Sequence, residues 1–316
     1  MQRRPSPSVY VRRRLVAGGA VPVLIGIAAA AGAFSSGDEP SSGADPRAGA
    51  QPAPEPVELP RGGHTVLPDR RVVAYYGAPQ TPELGALGIG TPDQAARKLE
   101  RQARPYARPR RPVLPALELI TVIANADPGD DGMYRSRQSG AIVRRYLRAA
   151  RRHDMLLVLD IQPGRSDFFT ETTRLERWLR EPDVGLALDP EWRVHDGQVP
   201  GQVIGQVAAR EVNATSAWLA QLVARRNLSQ KLFMVHQFTD EMVDDTQLKR
   251  RPGLAMVLNV DGFGTKPVKV AKYHELTRAA KRFDHGLKLF YEEDVGLMNP
   301  REVLRLRPSP DIVVYE

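Results

Sequence analysis

The chain has 316 residues, an ordinary apolar content of 42% and a formal charge of +8, from 45 basic and 37 acidic residues. It contains no cysteine, which excludes disulfides, thiolate metal sites and a cysteine nucleophile. No nucleic-acid-binding motif accompanies the basic excess, so solvated helix faces with some affinity for an anionic cell surface account for it, and no nucleic-acid partner is expected.

Residues 1–14 carry Arg3, Arg4, Arg12, Arg13 and Arg14 without an acid, and Leu15–Phe34 is an uncharged Ala/Gly-rich run. A basic segment before an apolar one of about bilayer length reads as an export signal or an N-terminal membrane anchor over 1–34. Ala31-Gly32-Ala33 offers a cleavage site of small residues, and cleaved and retained forms both stay open. The expected location is extracytoplasmic, secreted or held to the membrane by that helix. Residues 35–70 are rich in Pro, Gly, Ser and Ala. Such a composition buries too little apolar surface to offset its ordering entropy, so a disordered linker is expected, removable with little loss of stability. The folded body is then 71–316, and a monomer is expected.

Within the body, short β-branched apolar runs recur at 72–77, 112–120, 155–164, 184–192, 231–238, 254–264, 287–294 and 311–316. Helical patterns lie between them at 91–103, 139–152, 167–180, 205–226 and 268–283, with short ones near 246–251 and 299–306. Thr91-Pro92 suits an N-cap and first turn. Near-continuous apolar strands alternating with helices indicate a parallel sheet covered by helices, and eight such units predict an α/β fold of the (β/α)8 TIM-barrel type. A doubly wound open sheet is the rival. Against it, the loop after the first strand, GAPQTPELGALGIG, lacks the dinucleotide-binding glycine spacing.

In such a barrel the working residues sit at the carboxyl ends of the strands, and alternate residues point inward. This places Glu118 at the end of the second strand, Asp160 and Gln162 at the third, and Asp189 and Glu191 at the fourth. His236, then Asn259 and Asp261, follow on the fifth and sixth strands, and a cluster Tyr291, Glu292, Glu293 and Asp294 on the seventh. One acid at a strand end is usually a cap or turn residue. Acids at the same end of five strands point instead to a shared pocket, where like charges keep one carboxyl protonated for general-acid work. Asp160, Asp189, Glu191 and Asp261 are the candidate catalytic residues. Tyr76, Glu118, Gln162, Trp192, His236, Asn259 and Tyr291 are the candidate substrate-binding residues, the aromatic ones suited to stacking on sugar rings. Tyr75-Tyr76-Gly77 stands where metal-dependent barrels place H-x-H, and only His236 is a plausible imidazole ligand, so neither a metal nor another cofactor is expected.

Asp189-Pro190-Glu191 at the end of the fourth strand resembles the D-x-E of chitinase-type (family 18) barrels and of the family-25 lysozymes. That resemblance implies Glu191 as proton donor and Asp189 as the residue that orients it. The fuller chitinase pattern has aspartates where Val184 and Ala187 stand, and a tyrosine near Asn259. The chain also resembles secreted barrel proteins of high-GC bacteria. Together these readings predict an exported barrel that hydrolyses a cell-surface or extracellular glycan, with a non-catalytic glycan-binding protein and a metal-dependent hydrolase as alternatives.

Overall fold

A computed structural model describes residues 55–316 apart from Lys281. The expected signal or anchor segment and residues 35–54 lie outside the described residues. No helix among the described residues is long and apolar enough to cross a membrane.

Eight parallel strands close into a barrel: β1 (Arg71–Gly77), β2 (Val113–Ala124), β4 (Leu156–Ile161), β5 (Val184–Leu188), β6 (Lys231–Gln237), β7 (Leu254–Val260), β8 (Asp284–Leu289) and β9 (Ile312–Tyr315). Each pairs with the next, and β9 returns to β1. The chain is therefore a TIM-type barrel, and closure disposes of the doubly wound alternative. A three-residue strand, β3 (Arg135–Arg137), pairs antiparallel with the overrun of β2. It had no apolar signature from which to be read.

The helices follow from their caps and apolar faces. Helix α1 (Pro92–Ala103) starts in a capping box, where the Thr91 hydroxyl accepts from the Gln94 amide and the Gln94 side chain returns to Thr91 N–H. Its buried face is Ala95, Ala96, Leu99 and Ala103. Helix α2 (Gly140–Arg152) is capped by Ser139 and buries Val143, Tyr146, Leu147 and Ala150. The single helix expected over 167–180 is two, α3 (Phe168–Arg174) and α4 (Glu176–Leu179), and α5 (Ala209–Arg225), α6 (Lys266–Ala279) and α7 (Pro300–Leu304) complete the set. No α-helix forms near 246–251; the β6–β7 connection uses 3-10 turns at Asp240–Met242 and Asp245–Gln247.

Side-chain alternation divides the core in two. Leu186 and Leu188 of β5 face the helices, with Leu157 and Leu159 of β4. The interior set includes Ala74, Ala116, Val158, Ala187, Met234, Val257 and Val314. It is apolar at the amino end and middle of the barrel and becomes polar only at the carboxyl end.

Residues 55–70 form no helix or strand, yet they are not a free linker. Leu59, Val66 and Leu67 are buried and join the interior cluster. The Gln230 side chain accepts from the amides of Val66 and Leu67 at 2.8 and 3.0 Å, the Ser229 hydroxyl donates to Val57 O, and Arg61 donates to Val113 O and Asp154 O. All of these partners lie at or just before the start of β6, β2 or β4, so the segment plugs the amino end of the barrel. From Val57 onward, then, part of the stretch expected as a linker packs on the body. Three apolar side chains among many prolines were enough to seal an open barrel end.

Candidate functional site

Every strand of the barrel delivers a polar or charged side chain to its carboxyl end: Tyr76 (β1), Glu118 (β2), Asp160 (β4), Asp189 (after β5), His236 (β6), Asn259 and Asp261 (β7 and just after it), Lys288 (β8) and Glu316 (after β9). The period of two along a strand explains the placement, since each but Lys288 is in phase with apolar interior residues two or four positions earlier, and Lys288 is in phase with Gly286. Register fixes their heights: Tyr76 stands opposite Glu118, and His236 opposite Asn259. Gly286 leaves room for Asn259, because a Cβ there would meet the Asn259 Oδ1 atom at 2.2 Å.

The residues form two tiers. The upper tier lines an open pocket walled by Tyr76, Gln162, Asp189, Asp261, Lys288 and Glu316, with Glu191, Trp192, Phe238 and Phe263 among its other lining residues. Beneath it Glu118, Asp160, His236 and Asn259 are fully buried and form the floor.

The floor is organised around His236. Its Nε2 lies 2.9 Å from Glu118 Oε1 and 3.8 Å from Asp160 Oδ1, and its Nδ1 lies 3.1 Å from Asp261 Oδ2. Burial alone would lower the imidazole pKa, but the charge of Glu118 and hydrogen bonds to Asp261 and Glu118 outweigh it and hold the ring well above its usual range. Tyr76 joins the tiers. Its hydroxyl accepts from Gln162 Nε2 at 2.9 Å and lies 3.4 Å from Asp160 Oδ2 and 3.5 Å from Asp189 Oδ2.

The carboxyls are not equivalent. Asp160 is pushed well above the carboxylate range by burial and by the charge of Asp189. Burial also drives Asp189 up, to about 6, against the pull of His236 and Lys288. Burial would raise Asp261 as well, but Lys288 and His236 overturn this and hold it low. Lys288 contacts Asp261 Oδ2 at 3.3 Å and Glu316 Oε2 at 2.7 Å, and these charges hold its ammonium ionised despite burial. Lys288 and Glu316 were not among the candidates read from sequence. The signal for Lys288 was present: a lysine flanked by Leu287 and Leu289, two residues after an inward glycine.

The Asp189–Glu191 pair is placed differently from the sequence reading. Strand β5 ends at Leu188, and Pro190 opens a 3-10 turn over Pro190–Trp192. Proline fixes φ near the helical value, so Asp189 and Glu191 do not share a strand face. Asp189 is buried at the pocket wall, whereas Glu191 and Trp192 are half-buried on the loop above it. Tyr291 falls outside the pocket lining. It is 43% exposed and stacks on Tyr315, with ring centres 5.4 Å apart. Asp294 is buried in an ion pair with Lys269 at 3.1 Å.

No protein-family model matches the chain, and no curated protein matches it. The fold and site define a TIM-type barrel with a carboxylate-rich, aromatic-flanked pocket at its carboxyl mouth.

Proposed function

We propose that this barrel hydrolyses glycosidic bonds, with Asp189 as general acid and Asp261 as its anionic partner. The observation that supports the reading is the placement of these two carboxyls in one pocket with opposed surroundings. Asp189 is buried beside the Tyr76 hydroxyl, and Asp261 is ion-paired with Lys288. Glycoside hydrolysis needs such a pair: one carboxyl still protonated to release the leaving-group oxygen, the other charged to act as nucleophile or to activate water. Trp192, Phe238 and Phe263 offer apolar faces on which sugar rings stack, while Gln162 and Tyr76 supply hydrogen bonds to hydroxyls. Asp160, beneath Tyr76, supports that hydroxyl from below. Glu191 is assigned to substrate contact at the rim instead of proton donation, because its turn lifts it away from the buried wall.

The basic and apolar segments at 1–34 support export, so the substrate class is a cell-surface or extracellular polysaccharide, with the 1–34 segment as membrane anchor if it is retained. The test is turnover of a panel of cell-wall and storage polysaccharides by the purified protein, repeated with Asp189→Asn. Hydrolysis that disappears in the variant, with glycan binding kept, supports the assignment. Binding without turnover by the parent would make it a glycan-binding barrel.

A further inference from the structure

We infer that the floor of the barrel binds one divalent transition-metal ion through Glu118, Asp160 and the Nε2 atom of His236. The inference does not rest on the glycan reading. It concerns the tier beneath the pocket and holds for any substrate.

Geometry comes first. The three side chains arrive from β2, β4 and β6, and their ligand atoms all lie within 4.8 Å of one another. Nε2 stands 2.9 Å from Glu118 Oε1 and 3.8 Å from Asp160 Oδ1. Atoms bound to a common ion at about 2.0–2.4 Å lie roughly 3 Å apart when adjacent and less than about 5 Å apart when opposed. The cluster has that span.

The second observation is independent of the spacing. Asp160 Oδ1 and Glu118 Oε2 are fully buried and have no hydrogen-bond partner. A buried carboxyl oxygen, charged or neutral, is normally paired, because leaving it bare forfeits its solvation with nothing in return. His236 can donate from Nε2 to Glu118, but this leaves both of those oxygens unmet. An ion on Nε2 would lie within reach of Asp160 Oδ1 and of the Glu118 carboxylate together.

The far side of the imidazole is arranged to match. Nδ1 contacts Asp261 Oδ2 at 3.1 Å, and Asp261 is itself fixed by the Gly262 amide at 2.9 Å and by Lys288. A carboxylate on the outer ring nitrogen fixes the tautomer and aims the other nitrogen at a metal, as is usual for metal-bound histidines. Two carboxylates and one imidazole, without sulfur, suit Mn2+, Fe2+ or Zn2+ better than Ca2+, which takes six to eight oxygens.

The test uses the full chain, stripped with a chelator, desalted, and titrated separately with Mn2+ and Zn2+. Bound metal is counted by mass spectrometry of the desalted protein. One ion per chain is expected, with a higher melting temperature. Asp160→Asn and His236→Gln should each abolish stoichiometric binding. Asp261→Asn should weaken it by about 10–100-fold, and Glu191→Gln should leave it unchanged. Co2+ gives a readout that needs no variant: visible d–d bands are expected on addition to the parent protein. Folded parent protein that retains no stoichiometric Mn2+ or Zn2+ and shows no Co2+ bands would overturn the inference. So would binding that survives the Asp160→Asn/His236→Gln double substitution.

Discussion

The Lys288 ammonium sits 3.6 Å from the centre of the Tyr76 ring, the two side chains reaching each other from β8 and β1. The same ammonium contacts Asp261 and Glu316, so one buried cation ties together three strand ends. Lys288→Met would leave the buried Asp261 and the half-buried Glu316 carboxylates without this counter-charge. Removing one partner of a buried pair costs about 3–5 kcal/mol, and that loss is expected in urea unfolding. A midpoint unchanged from the parent would show that the cation is dispensable.

Catalysis should depend on pH in a way that names the donor. Asp189 is raised from 3.8 to about 6, so the protonated form needed for general-acid work persists below about pH 6 and is lost above it. The rate, as kcat/KM, is expected to fall as pH rises through that value. Asp189→Asn should lose about 10²–10⁴-fold with the fold intact, while Glu191→Gln keeps the same alkaline limb with a smaller loss. If Glu191→Gln instead removed the limb, the donor would be Glu191, as the D-x-E resemblance implies.

A second titration is expected far from the pocket. Lys231 is buried at the start of β6, where its ammonium donates to the carbonyls of Glu181 and Val184. Burial lowers its pKa from 10.5 to about 7. Between those values the unfolded chain holds a proton that the native state has released. Stability should therefore rise with pH across this window, by at most about 1.4 kcal/mol per unit. Unfolding midpoints measured across the window should lose this slope in Lys231→Met.

The plug gives a prediction about boundaries. A chain beginning at residue 71 lacks Leu59, Val66 and Leu67 and exposes the amino end of the barrel interior. It should melt well below a chain beginning at residue 55. Leu67→Ala alone should cost about 2–5 kcal/mol, as for other buried leucines. Equal melting temperatures for the two truncations would keep the boundary at residue 70.

Seven of the eight barrel strands were legible as apolar runs buried on both faces, as parallel strands in a closed barrel require, whereas β8 lies at Asp284–Leu289 instead of 287–294, because its first residues, Asp284, His285 and Gly286, carry no apolar signature. What escaped was local. Arg135–Arg137 becomes a strand only because β2 runs on to Ala124 and offers it an edge. Residues 246–251 carry helix-forming residues, but Pro252 follows and the segment stays in 3-10 and extended form. At the site, acids were sought at strand ends and found, whereas Lys288 passed unnoticed because its lysine reads as surface charge until the period of two turns it inward. Glu191 was misplaced because the chain leaves the strand at Asp189 and turns at Pro190. The pairing of tiers, with His236 between Glu118 and Asp261, depends on which strands face each other across the barrel, and no single strand carries that information.

The plug at residues 55–70 and the pocket occupy opposite poles of the barrel. The 55–70 segment lies at the sealed pole, so a bead, surface or fusion partner attached through residue 55 of a chain that begins there would leave the other pole facing outward. A long polymer could then approach the mouth without threading past its own point of attachment. Immobilised protein should accordingly process or retain polymer as readily as protein in solution.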